Sequence, residues 1–349
     1  MFLSDFDYHL PEGLIAQYPC PEREAARLLV VCREDGGFRH RRFCDLGAWL
    51  RPGDLLVLND TRVVPARLHG RRDGGGTIEV LLVEEEARNR WWVLGKPGKR
   101  LCVGRRLTFE EAVGALVVDR DGGGRRLLQF DGPEDIRTLL PRIGVMPLPA
   151  YVKRRASGTG PTPDDAIDVE RYQTVYARAA GAIAAPTAGL HFTEALLSTL
   201  EQGGVEIAFL TLHVGVGTFT PVTVERVAEH RMATERYLIP ERTAAAVKRA
   251  KAEGRRVVAV GTTTTRALED AALPGEGVRA GQGMASLFIT PGHPFRVVDG
   301  LVTNFHLPRS PLLILVSAFA GRALILKAYA EAMRERYRFY SYGDAMVIL

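Results

Sequence analysis

The chain has 349 residues, 46% of them hydrophobic and 25% charged, with a formal net charge of +5 and a pI near 9.1. That is the composition of a globular protein with enough chain for about two domains and real cores. The basic balance tilts weakly toward an anionic partner such as nucleic acid, but only six of the 46 basic residues are lysine, and a GC-rich genome alone yields such an arginine excess.

The N-terminal MFLSDFDYHL carries acids and no basic n-region, so no secretory signal is expected. Up to about Arg62, short apolar runs such as LLVVC and LLVLN alternate with polar turns. The four cysteines, Cys20, Cys32, Cys44 and Cys102, form no C-x-x-C pair, and there is no H-x-x-x-H pair. The common zinc spacings are therefore missing, and free thiols in a reducing cytoplasm are expected.

From about Val63 to Gly144 the texture becomes short strands divided by glycine: ARLHG, TIEVLLVEE, RWWVLG, RRLTFE, GALVVD and RRLLQFD, with RRDGGG and RDGGG as turns. Such spacing predicts a small barrel or sandwich. After Tyr151 a polar loop, KRRASGTGPTPDDAIDVERYQ, leads into strand–helix alternation. GAIAAPTA reads as a strand, TEALLSTLEQGG as a helix and VEIAFLTLHV as a strand. PERTAAAVKRAKAEG is a helix with Pro240 near its start and Gly254 past its end. RRVVAVGTT is a buried strand, TRALED opens a helix, and ASLFIT and DGLVTNF are strands. The alternation predicts an α/β fold with a mainly parallel sheet flanked by helices. The apolar PLLILVSAFAG is too short to span a membrane. Ser310 as N-cap and Pro311 at the first helical position make it a core helix.

In open parallel sheets, ligands bind beyond the carboxyl ends of the strands. Those ends carry the unusual residues here: AGLHF with His191, GVGTFTP after His213, TTTTR ending in Arg266, and HLPRS with His306 and Arg309. Glycines admit close backbone approach, hydroxyls and amides bind, and helix N-termini favour anions. GVGTF lacks the third glycine and the helix of a dinucleotide fingerprint. A single strand-end histidine is more often structural than chemical, yet the cluster points to one cleft.

The segments AAPTAGLHFT, TLHVGVGTFTPV, AVGTTTTRALE, VVDGLVTNFHLPRSPLLILVSAFAG and YRFYSYGDAMVIL resemble the S-adenosylmethionine:tRNA ribosyltransferase-isomerase family of queuosine biosynthesis. QYPCPEREAARLLV, GDLLVLNDTRVVPARL and DVERYQTVYA agree with it, so the resemblance runs from near the N-terminus to the last residues. It implies an α/β domain, residues 1–62 and 145–349, with a β-barrel domain, residues 63–144, inserted. It implies transfer of the ribosyl part of S-adenosylmethionine to 7-aminomethyl-7-deazaguanine at the wobble position of tRNA, with isomerisation to an epoxycyclopentanediol and loss of adenine and methionine. The implied partners are tRNAs with a GUN anticodon (Tyr, His, Asp and Asn acceptors). S-adenosylmethionine is a co-substrate, and no bound cofactor or metal is implied. A cytoplasmic monomer without membrane attachment is expected.

That chemistry sets the candidates. The sulfonium acidifies the C5′ hydrogens, so a base near working pH is wanted, and histidine suits it. Adenine leaves only when protonated. His191, His213 and His306 are the candidates for these roles, in no fixed order, with Glu170 as a further acid. The methionine carboxylate wants Arg266 or Arg309 with the amides near Ser310. Gly215, Gly217, Thr218 and Thr262 are candidate lining residues, Asn304 a histidine-orienting amide, and Tyr172, in the polar loop with Glu170, a lid. Candidate phosphate contacts are Lys153, Arg154 and Arg155 in YVKRRA, Arg100 and Arg105 in GKRLCVGRR, and the HRR of residues 40–42.

The chain departs from the family pattern in HRMATE, where Ala233 stands for a second histidine, so an essential proton transfer there is doubtful. Arg309 replaces the usual Lys, Pro311 a Thr, and GTTTTR keeps Arg266. Two other readings fit the same partners: an S-adenosylmethionine-dependent tRNA methyltransferase, weakened by the lack of a glycine-rich loop after a first strand, and a catalytically silent tRNA-binding module.

Overall fold

The computed structural model describes residues 1–154, 163–215 and 224–349. Two compact units divide the chain. One takes Met1–Arg62, Ala150–Lys153 and Gln173–Leu349; the other takes Val63–Pro149 and Arg154–Tyr172.

The first unit is built on a nine-stranded sheet. Its strands lie in the order Gly281–Ala285, Glu235–Ile239, Glu206–Leu212, Leu55–Asn59, Val257–Val260, Gly300–Asn304, Ala345–Ile348, Arg27–Val31, Phe38–Arg42. The four from Glu206–Leu212 to Gly300–Asn304 are parallel. Ala345–Ile348 then reverses direction, and both outer edges are antiparallel, so the sheet is mixed around a parallel centre. LLVLN, VVAV and GLVTN are buried at every position. Strands covered on both faces need no polar alternation, which is why they read as unbroken apolar runs. Alternate residues feed two cores: Leu55, Val57 and Ala259 pack with Val247 and Ile314 on one face, while Leu56, Leu58 and Val258 pack with Leu196 and Leu200 on the other.

Two of the covering helices are capped by hydroxyls, and the cap expected at Ser310 is present. Thr193 accepts the Leu196 N–H at the start of Glu194–Gln202, and Ser310 accepts the Leu313 N–H at 3.2 Å at the start of Pro311–Ala320. Each such cap is worth about 1 kcal/mol. Pro311–Ala320 stops at Gly321, whose φ of 87° suits glycine, and Arg322–Arg334 leaves at 114° to it. Leu313, Ile314 and Val316 are wholly buried, so this is a core helix, and no single described helix is long and apolar enough to cross a membrane.

Two expected elements differ. The strand expected over ASLFIT lies one segment earlier, at Gly281–Ala285, paired with Glu235–Ile239. A Cβ on Gly283 would sit 2.3 Å from the Tyr237 ring, so the glycine admits that ring, while Ile289 is buried as irregular chain. Of GAIAAPTA only Gly181 and Ala182 are strand, at the end of Ala179–Ala182, and a 3-10 turn follows at Thr187–His191.

In the second unit the six glycine-divided runs become six antiparallel strands, Arg67–Arg72, Thr77–Ala87, Arg90–Lys96, Arg106–Phe109, Gly114–Arg120 and Arg126–Phe130. Arg67–Arg72 also pairs with Arg106–Phe109, which closes a barrel and removes its edges. At that seam a Cβ on Gly70 would lie 2.6 Å from both the Phe109 ring and Thr108 O. Ile78, Val80, Leu82, Leu107, Val117 and Leu128 fill the interior.

Candidate active site at the strand ends

The parallel centre delivers Asn59, Leu212, Val260 and Asn304 to one edge of the sheet. Antiparallel pairing brings the starts of Glu235–Ile239 and Ala345–Ile348 to the same edge, with Leu212 opposite Tyr237 and Asn304 opposite Ala345. This is the edge where the strand-end histidines were expected to gather.

Asn59 ties the edge together. Its Oδ1 accepts the Thr61 N–H (3.1 Å) and the Leu212 N–H (3.0 Å), and its Nδ2 donates to Leu212 O (3.0 Å) and Thr263 Oγ1 (3.4 Å). Asp60 accepts the Thr211 hydroxyl at 2.6 Å. Thr61 Oγ1 lies 2.8 Å from His213 Nδ1 and donates its own proton to Ala179 O at 3.4 Å. None of the three was among the sequence candidates. The signal was present: NDT follows the buried run LLVL directly, the same polar-after-strand pattern that singled out the other ends.

His213 is half-buried, and its N–H donates to Arg236 O at 3.0 Å. A Cβ on Gly181 would lie 2.9 Å from its ring, so that glycine makes room for the imidazole. Burial, then the Arg236 charge, pushes the His213 pKa below the ordinary histidine value, while Asp60 pulls the other way. No hydrogen bond occupies Nε2 among the described residues.

The other two histidines sit differently. His306 is buried, with Nε2 2.8 Å from Thr303 Oγ1, its N–H donating to the Tyr329 hydroxyl at 2.8 Å and its carbonyl accepting from the Tyr8 hydroxyl. Burial pushes its pKa down to about 3. His191 is stacked on Phe43, with Nδ1 3.2 Å from Ala188 O and Nε2 2.8 Å from Gly343 O. Both of its nitrogens face backbone carbonyls, and burial lowers its pKa too. Asn304, buried, accepts from Thr187 at 2.8 Å and donates to Tyr340 O (3.3 Å) and Asp344 O (3.5 Å); it orients the C-terminal segment rather than a histidine.

Both arginines expected at the methionine carboxylate are ion-paired in this structure, one buried and one exposed. Arg266 is buried and ion-paired with Glu235, and it also donates to the carbonyls of Leu287, Ala285 and Ala233. Glu235 Oε1 in turn accepts the Gly215 N–H at 3.1 Å. Arg309 is exposed, adopts φ 56° and pairs with Asp7. Ser310 spends its hydroxyl on the cap and on Leu307 O (2.7 Å). Thr262 is buried as the first residue of the helix Thr262–Asp270, which starts after Gly261 at φ 91°. Ala233, the residue that departs from the family pattern, is exposed and meets Arg266 through its carbonyl (3.5 Å). Gly217, Thr218 and Arg155 lie outside the described residues.

Of the remaining candidates, Glu170 is exposed on the helix Pro163–Arg171, and Tyr172 is fully buried, which does not suit an exposed lid. Both belong to the second unit. Arg154 makes two 2.8 Å bonds to the buried carboxylate of Asp168, and Arg105 pairs with Asp73 at 2.9 Å. Arg100 and Lys153 are exposed. Among the described residues no group of three His, Cys, Asp or Glu side chains could hold a metal ion.

The family model described as "Queuosine biosynthesis protein" matches residues 3–348. The chain is 53% identical over 350 residues to the S-adenosylmethionine:tRNA ribosyltransferase-isomerase of Citrifermentans bemidjiense, with both chains covered in full. It is equally similar, at 53%, to that of Gloeobacter violaceus, covering all of this chain and 96% of the relative. Among solved structures it is similar to the S-adenosylmethionine tRNA ribosyltransferase of Thermotoga maritima, at 38% identity and a TM-score of 0.55, covering 99% of this chain and 100% of that one.

Proposed function

The chain belongs to the queuosine biosynthesis family of S-adenosylmethionine:tRNA ribosyltransferase-isomerases, and we propose that it performs that reaction at the strand-end edge with His213 as the base. The ribosyl group of S-adenosylmethionine is transferred to a tRNA base and isomerised, and adenine and methionine leave. The acceptor is the primary amine of 7-aminomethyl-7-deazaguanine at the wobble position of GUN-anticodon tRNA, in the cytoplasm.

One observation carries the assignment of the base. Thr61 Oγ1 lies 2.8 Å from His213 Nδ1 and 3.4 Å from Ala179 O, and we assign its hydroxyl proton to Ala179 O, which leaves its lone pair to accept from Nδ1. The ring is therefore the Nδ1–H tautomer, with the Nε2 lone pair free. A depressed pKa keeps that lone pair available at neutral pH. Nε2 takes a proton from C5′, where the sulfonium stabilises the developing carbanion. Adenine then leaves, its nitrogen taking a proton such as the one His213 has just gained. The neutral amine adds to the unsaturated ribosyl fragment, and methionine departs with the C–S electron pair as the epoxide closes.

His306, neutral at any working pH, serves by hydrogen bonding and packing rather than as an acid. His191, with both nitrogens against carbonyls, braces the Gly343 turn. With Arg266 and Arg309 already paired, the methionine carboxylate is served by the free amides of the first turn of Thr262–Asp270, where the helix dipole favours an anion.

The test is His213→Gln. Adenine release from S-adenosylmethionine should fall by about 10²–10⁴-fold, and exchange of the C5′ hydrogens with deuterated solvent should stop with it. A variant that still exchanges C5′ at the parent rate refutes the assignment.

A further inference from the structure

Burying an arginine with a glutamate stabilises a fold only when both are fully bonded, and apolar side chains fill such a space more simply. The Arg266 and Glu235 side chains keep only 4% and 3% exposure. Beyond Glu235, Arg266 donates to Ala285 O at 3.1 Å, Leu287 O at 3.2 Å and Ala233 O at 3.5 Å, so its planar fork is fixed from several sides.

What the pair holds is the segment that carries the base. Glu235 Oε1 accepts the Gly215 N–H at 3.1 Å, and the next residue, Arg236, offers its carbonyl to the His213 N–H at 3.0 Å. Both ends of His213–Val214–Gly215 are thus bonded to two adjacent residues of one strand. The second of these bonds is made by a carboxylate that Arg266 holds in place. Val214, between them, is buried in the core. The ring itself is then placed by Thr61 on Nδ1 and by the space above Gly181.

We propose that Arg266 and Glu235 are a positioning pair for His213, fixing the turn from which Nε2 reaches the substrate, and that Arg266 does not read the methionine carboxylate. The inference rests on the base role of His213. The charged groups acting on the imidazole are Arg236 and Asp60, with the Thr61 hydroxyl on Nδ1. Slack in the turn lets the ring leave Thr61 and meet water, and its pKa then climbs back toward the ordinary value.

The experiment compares Arg266→Lys and Glu235→Gln with the parent in adenine release, reading kcat, KM for S-adenosylmethionine and the pH profile, with His213→Gln in parallel. Displacement of the base by about 1 Å costs up to about 10²-fold in kcat, while KM for S-adenosylmethionine stays near the parent value and the acid limb of the kcat profile moves to higher pH. Glu235→Gln keeps an oxygen for the Gly215 N–H and should retain more activity than Glu235→Ala; it carries the same comparison if Arg266→Lys folds poorly. A raised KM with kcat preserved would make Arg266 a carboxylate reader and overturn the inference. So would a lost kcat with an unmoved acid limb. An inactive His213→Gln beside parent-like Arg266→Lys kinetics sinks the positioning role alone, whereas a fully active His213→Gln sinks the base reading beneath it.

Discussion

Asn304 Oδ1 accepts a hydrogen bond from the Thr187 hydroxyl at 2.8 Å, and the same side chain donates to Tyr340 O and Asp344 O. One amide at the end of a central strand therefore joins the turn that ends in His191 to the C-terminal segment that receives His191 Nε2 on Gly343 O. Asn304→Ala leaves these buried groups unpaired. It should cost about 1–3 kcal/mol for each unsatisfied group, read as a lowered denaturant midpoint. Asn304→Asp keeps the acceptor for Thr187 but loses both donated bonds, so it should not restore the parent midpoint.

Thr61 should matter through His213 rather than through stability. Thr61→Val keeps the shape and removes the acceptor for Nδ1–H, so the tautomer is no longer specified. Adenine release should fall by at least about tenfold, with a smaller loss for Thr61→Ser, which keeps the hydroxyl. In the parent, activity should depend on a group that titrates below the ordinary histidine pKa, because burial and Arg236 depress it. The acid limb of the rate profile measures this directly. A limb above 6.5 contradicts the environment described for His213.

His306 makes a separate pH prediction. Burial lowers its folded pKa to about 3, below the ordinary histidine value of 6.5. Between those values the unfolded chain binds the proton and the folded chain does not, so stability is fully present above the unfolded pKa and is lost as pH falls toward 3. The whole effect is on the order of 5 kcal/mol. His306→Asn should flatten the stability–pH slope by about one proton in that window, measured by denaturant titrations at a series of pH values.

Much of this architecture was legible because the signals are local. Glycine-divided alternation marked all six barrel strands, and the unbroken apolar run of VVAV marked a buried strand. Ser310 and Pro311 announced their helix. What was not legible depends on contacts between distant residues. GQGMA is a strand because Gly283 faces Tyr237, a pairing that no window of sequence contains. Arg266 reads as an anion receptor until its anion is found 31 positions away, at Glu235. The three histidines look alike in sequence. Burial and the partners of their ring nitrogens separate them, and those partners come from Thr61, Thr303, Ala188 and Gly343.

The basic candidates should divide in the same way. Arg154 is committed to the buried Asp168, so Arg154→Ala should lower stability by about 3–5 kcal/mol. Arg100 is exposed, and if it meets a phosphate, Arg100→Ala should reduce the slope of log affinity against log salt for tRNA by about 0.7–0.9. Filter or fluorescence titrations at several salt concentrations give that slope, and an unchanged slope removes Arg100 from the interface.

The most direct measurement is release of adenine and methionine from S-adenosylmethionine, with tRNA carrying 7-aminomethyl-7-deazaguanine beside the same tRNA carrying guanine. Adenine and methionine should appear in equal amounts, with the modified tRNA only. S-adenosylhomocysteine in place of adenine, or tRNA binding without either product, would contradict the account.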